Sequence, residues 1–196
     1  YASTPDSAAV SITGDIDIRV QVALVDYTPS TVQMLVSKSI SAGNQVSFDW
    51  YVASSGLLVF RYSPDGTGAA LVTSVSSVAT GIADGSVKWL RVTRSSSSGA
   101  VIFYTGDDGA SWTQLGTTQS TTAGNIFDST AIVTVGMSSD GTSNASTGRI
   151  YRAQLYNGIG GTLVADFDPT RTTQASTSFS GSTGETWTIN GRGFIY

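Results

Sequence analysis

Histidine and cysteine are missing from all 196 residues, and glutamate occurs once, at Glu185. Those three residue types supply most of the bases, nucleophiles and soft metal ligands of enzyme sites. Their scarcity argues against a catalytic role, excludes disulfides and thiolate metal centres, and leaves the redox compartment open. Charge is scarce too, at 12% of residues. The net charge of -4, the pI of about 4.5 and ten basic residues scattered singly argue against a nucleic-acid partner, because backbone phosphates demand clustered Lys and Arg. No apolar run approaches the roughly 20 residues of a membrane-spanning helix, and no segment resembles a signal peptide, so membrane insertion is not expected. The chain opens on Tyr1 rather than Met, which points to processing or to a longer parent polypeptide.

What remains is rich in Ser, Thr, Gly and Val, with 40% hydrophobic residues and 4 Trp, 8 Tyr and 7 Phe. That suffices for the core of one all-β domain spanning 1–196. The clearest strand is 15–24: Ile16, Ile18, Val20, Val22 and Leu24 fall on one face, and Asp15, Asp17, Arg19, Gln21 and Ala23 on the other. This period of two marks a half-buried antiparallel strand. Further strands are expected at 8–13, 32–39, 45–53, 57–63, 69–76, 87–94, 100–105, 111–116, 131–138, 148–157, 162–168 and 185–190. Asp65-Gly66, Asp84-Gly85, Asp108-Gly109, Asp140-Gly141, Asn157-Gly158 and Asn190-Gly191 supply the positive backbone dihedrals of tight turns. The Ser/Thr/Gly stretches 95–99, 117–124 and 172–184 read as loops. No window keeps helical periodicity, so the fold class is all-β: an antiparallel two-sheet jelly-roll sandwich.

Thr105 to Trp112 matches the Asp-box pattern [ST]-x-D-x-G-x-[ST]-W, read here as a folding element. In it an Asp accepts loop amides, Gly takes the left-handed dihedral and Trp packs under the turn. A sialidase would need repeated boxes and a Tyr–Glu nucleophile pair. Asn144-Ala145-Ser146 matches the glycosylation sequon and reads as a bare loop. Asp166 and Asp168 share a strand face and could offer two oxygens to calcium, but no further carboxylate lies near in sequence. They read as a solvated strand end before Pro169, so no metal or other cofactor is assigned. Glycoside hydrolysis needs two flanking carboxyl groups, and no Glu-x-Asp-x-x-Glu run of the jelly-roll glucanases is present.

Aromatic residues give the best lead. Alternation places Phe48, Trp50 and Val52 together, with Asp49 and Tyr51 opposite. It turns Leu90 and Val92 to the core, and Trp89, Arg91 and Thr93 outward. It also groups Tyr151 with Ala153 and Leu155, leaving Arg152 and Gln154 opposite. If these strands share one sheet, Asp49, Tyr51, Trp89, Arg91 and Arg152 form an outward aromatic and polar patch suited to sugars. The alternative is that Trp89 packs beneath a loop or against a neighbouring subunit.

The runs Lys88-Trp89-Leu90-Arg91-Val92-Thr93-Arg94, Val101-Ile102-Phe103-Tyr104 and Asp107 through Gly116 resemble laminin-G-like, concanavalin A-like domains of bacteriophage tail and other virion proteins. Gly148 through Leu155, Val164 through Asp168 and Thr186 through Gly191 continue the resemblance in order, and Ser11 through Ile18 precede it. It implies a jelly roll with a gently concave face. It further implies a non-enzymatic, extracellular virion surface domain that binds host-envelope carbohydrate, or else a capsid or tail decoration contacting other virion proteins without a ligand. Calcium and homo-oligomers occur among such domains, but no residues here carry either over. Fold alone does not decide among these functions.

Overall fold

The alternation of 15–24 becomes the central strand of a sheet in the computed structural model, which describes residues 1–173 and 175–191. Ile16, Ile18, Val20, Val22 and Leu24 all point into the core with no exposed surface. In chain order the strands are β1 (Ala2–Thr4), β2 (Ile16–Leu24), β3 (Gln33–Ile40), β4 (Gln45–Val52), β5 (Leu58–Tyr62), β6 (Val72–Val75), β7 (Lys88–Arg94) and β8 (Ala100–Gly106). They continue with β9 (Thr113–Gln114), β10 (Gln119–Ser120), β11 (Val133–Val135), β12 (Gly148–Asn157), β13 (Thr162–Phe167), β14 (Ser178–Ser180) and β15 (Thr186–Ile189). One 3-10 turn, Pro169–Arg171, is capped by Asp168, whose carboxylate accepts the Thr170 N–H at 3.1 Å.

Every strand pairing is antiparallel, as expected. An eight-stranded sheet runs β14-β15-β1-β11-β3-β4-β5-β6. A seven-stranded sheet runs β10-β8-β7-β2-β12-β13, with β9 added on β8. The chain crosses between the sheets after β1, β2, β6, β10, β11 and β13, so their inner faces enclose one hydrophobic cluster. Leu35, Val36, Phe48, Trp50 and Phe60 enter it from the larger sheet, and Leu90, Val92, Phe103, Ala153 and Leu155 from the smaller. At about 1.5–3 kcal/mol for each fully buried large apolar side chain, this interior supplies the main drive to fold.

The six Asx-Gly pairs all place Gly at positive φ, from 65° at Gly191 to 92° at Gly158. Segment 8–13 is turn and loop rather than strand, although Val10 and Ile12 still anchor it in the core. Expected strand 111–116 shrinks to two paired residues. Three short strands arise where none was expected: β1, and β10 and β14 inside stretches read as loops. The Tyr151 grouping also fails. A bulge between Ile150 and Arg152 leaves Tyr151 as the extra residue, and Ile150 packs on the core instead.

Two rim cations hold loops to this frame. Lys38 is buried, with its ammonium donating to Asp6 Oδ1 at 2.7 Å, to the Ala131 carbonyl at 3.2 Å and to the Ser129 carbonyl. Arg94 lies 3.9 Å from the Tyr62 ring centroid and donates to the Gly124 carbonyl at 2.8 Å. On the opposite edge Glu185 Oε1 accepts the Asp166 N–H at 2.6 Å and the Trp187 indole N–H at 2.9 Å. The lone glutamate therefore ties the β14–β15 hairpin to β13, where Phe167 packs edge-on to Trp187 at 5.4 Å.

Candidate functional site

The five residues expected to form one patch do not share a sheet. Asp49 and Tyr51 lie on β4 of the eight-stranded sheet; Trp89 and Arg91 on β7, and Arg152 on β12, belong to the seven-stranded sheet. Each side chain faces outward as alternation demands, but the two groups occupy opposite faces of the sandwich. The separation is topological: the chain crosses between sheets after β6 and again after β11, which alternation within a single strand does not register.

On the larger sheet Asp49 is buried by its partners. Ser37 donates to Oδ1 at 2.7 Å and Arg61 Nε to Oδ2 at 2.8 Å, and the Arg61 guanidinium sits 5.5 Å from the Tyr51 ring centroid. Burial pushes the Tyr51 hydroxyl above its ordinary pKa despite the nearby Arg61. Loop 136–147 folds over β3 beside this group, leaving a cleft of about 350 Å³ lined by Asp49, Arg61, Asp140, Ser143 and Asn144 among others.

The smaller sheet carries the richer cluster. Its register sets Tyr104 opposite Arg91, Arg91 opposite Arg19, Arg19 opposite Gln154 and Gln154 opposite Asp166, one continuous row across five strands. Two guanidiniums directly opposite on adjacent strands repel. Asp17, two residues before Arg19 on the same face, resolves the conflict. It accepts Arg19 Nε at 3.2 Å and Nη2 at 2.8 Å, and Arg91 Nε at 2.9 Å and Nη2 at 2.8 Å. The Gly160 N–H of the β12–β13 turn adds a fifth bond at 3.0 Å. Burial alone would raise the Asp17 pKa, but the bonds from Arg19 and Arg91 outweigh it and hold the carboxyl below its ordinary value.

Aromatic rings enclose both cations. The Arg19 guanidinium lies 4.2 Å from the Tyr156 ring centroid and 5.7 Å from that of Trp112; Arg91 lies 4.9 Å from Tyr104 and 5.4 Å from Trp112. All three rings are partly exposed. Trp112 owes its position to the Asp-box turn, where Asp108 accepts the Ala110 and Ser111 N–H groups at 2.8 and 2.7 Å. The holding carboxylate is thus Asp108; the pattern's own aspartate, Asp107, pairs with Lys88. Trp89 is not a platform. Only 7% exposed, it lies beneath this loop, edge-on to Trp112 at 6.4 Å. A Cβ at Gly109 would come within 2.7 Å of its ring.

Arg152 shares the face but is taken up elsewhere, with Nε and Nη2 both 2.9 Å from Asp166, which Ser182 also caps at 2.6 Å. Asp166 is therefore buried and ion-paired rather than solvated, as its expected strand end implied. Sequence reading missed Asp17, Arg19, Tyr104, Trp112 and Tyr156 as a unit. Asp17 and Arg19 looked like an ordinary solvent face, and only cross-strand register joins them to Arg91.

No protein family model and no curated protein matches the chain. Solved structures do. The CBM40 of a Ruminococcus gnavus IT-sialidase bound to α2,3-sialyllactose aligns with a TM-score of 0.60 at 15% identity, covering 80% of this chain and 86% of that one. A putative carbohydrate-binding protein from Bacteroides ovatus aligns at 0.67 and 7% identity, over 97% of this chain and 56% of that one. A leech intramolecular trans-sialidase aligns at 0.53 and 13% identity, over 81% of this chain and 25% of that one. At such identities the likeness is one of fold, and the fold is a two-sheet antiparallel jelly-roll sandwich of the concanavalin A type.

Proposed function

We propose that this chain is a non-enzymatic glycan-binding module acting through the outer face of its seven-stranded sheet. The observation that carries the reading is the set of three partly exposed rings, Tyr104, Trp112 and Tyr156, fixed around Arg19 and Arg91. Sugars offer apolar ring faces and peripheral hydroxyls, which flat aromatics and rigid donors complement. A CBM40 bound to sialyllactose and a protein described as a putative carbohydrate-binding protein share this fold and lend support. The setting we propose is the surface of a phage virion, extracellular, with host-envelope carbohydrate as ligand. That setting rests on the sequence resemblance running from Ser11 to Gly191.

The test is a glycan array followed by titration of the best hit. Trp112→Ala is expected to weaken binding about tenfold, as loss of a stacking contact does, while circular dichroism shows the fold retained and the urea midpoint falls only by the lost Trp89 contact, about 1 kcal/mol. Full affinity in that variant removes this face as the site. An array without saturable binding removes the glycan reading and leaves a decorating role in contact with other virion proteins.

A further inference from the structure

Resting on the glycan reading of the same face, we infer that the sugar it takes is acidic and presents a carboxylate to Arg19 and Arg91. The protein itself answers only part of what these guanidiniums offer. Each gives Asp17 its Nε and Nη2, and the Nη1 of both has no hydrogen-bond partner among the described residues. Neither Nη1 is among the buried unpaired atoms, so both reach solvent. Directly opposite in register, the two arginines stand on neighbouring strands of the same outer face, with side chains 16% and 13% exposed.

Charge points the same way. Two guanidiniums against one carboxylate leave this cluster at +1, while the chain as a whole stands at -4. The nearby Arg152–Asp166 pair is neutral and adds nothing to it. A carboxylate brings one negative charge and two acceptor oxygens, so it neutralises the excess and satisfies both free donors. The flanking rings exclude water from the guanidinium faces, which strengthens a charged hydrogen bond made there. A neutral sugar would leave the positive charge uncompensated.

The experiment compares carboxylated oligosaccharides (3′-sialyllactose and a galacturonate trimer) with their carboxyl methyl esters, which keep the shape and lose the charge. The best hit of the glycan array and a sulfated lactose are run beside them. At least one free acid is expected to bind ten times tighter than its ester, with a preference that shrinks as salt rises. Arg19→Lys, which keeps the charge but loses the planar edge, is expected to erase most of that preference; the wild-type ester comparison stands whether or not the variant folds. Equal binding of every acid and its ester, no binding of any acid, or tighter binding of the sulfated sugar than of every carboxylate overturns the inference. If a neutral glycan still binds in a Trp112-dependent way, the glycan reading survives that failure; if nothing binds, both fall.

Discussion

At the scale of single residues, Asp17 decides whether two neighbouring arginines can share a sheet face. Replacing it by Asn keeps the shape but leaves Arg19 opposite Arg91 without a counter-charge. Uncompensated, partly buried charge of this kind costs about 3 kcal/mol, and a urea titration of Asp17→Asn at pH 7 is expected to show a loss of that order. The acid dependence has a definite sign. Asp17 and Asp166 both have folded pKa values below the ordinary carboxylate. Their contribution is therefore complete above the unfolded pKa of about 3.9 and is lost as pH falls through the lower folded values. Between pH 4 and pH 2 the wild type should lose stability more steeply than an Asp17→Asn, Asp166→Asn double variant, measured by urea midpoint at each pH.

At the scale of elements, the loop between β8 and β9 shows how a folding motif becomes part of a binding surface. Asp108 closes the turn, Gly109 lets it press on Trp89, and Trp112 is delivered over the arginines. Gly109→Ala meets both a positive φ of 75° and a Cβ 2.7 Å from the Trp89 ring. About 2 kcal/mol of destabilisation is expected, together with weaker glycan binding as Trp112 shifts. Chemical denaturation and titration of the same sample check both, and unchanged affinity at reduced stability would separate the turn from the site. The motif itself was plain in the sequence, because turn chemistry is local. Its role in the cluster was not, because it depends on β9 folding back along β8 and on which strands flank β7. The long strands β2, β4, β7 and β12 were legible for the same local reason. The short strands β1, β10 and β14 were not, since Ser- and Thr-rich segments become strands only when a neighbour offers its edge.

At the scale of the whole molecule, composition foretold a fold of turns and alternating strands, and strand order decided the function it can present. One core fills the space between both sheets. Both should therefore unfold together: far-ultraviolet circular dichroism, which follows the strands, and tryptophan fluorescence, which follows Trp50 and Trp187 in the core and Trp89 and Trp112 outside it, are expected to give coincident melting curves. Curves several degrees apart would mean that the sheets come undone separately.

Strand β1 sits between β11 and β15, with Ala2 facing Val135 on one side and Ile189 on the other. During synthesis it leaves the ribosome well before either neighbour exists. Until Val133–Val135 emerges the short strand has no edge to join, and until Thr186–Ile189 emerges the larger sheet holds only the six strands β1-β11-β3-β4-β5-β6, with β14 unpaired. Strand β1 is therefore synthesised long before either edge it joins: β11 closes one side of it, and β15 closes the other and brings β14 into the sheet.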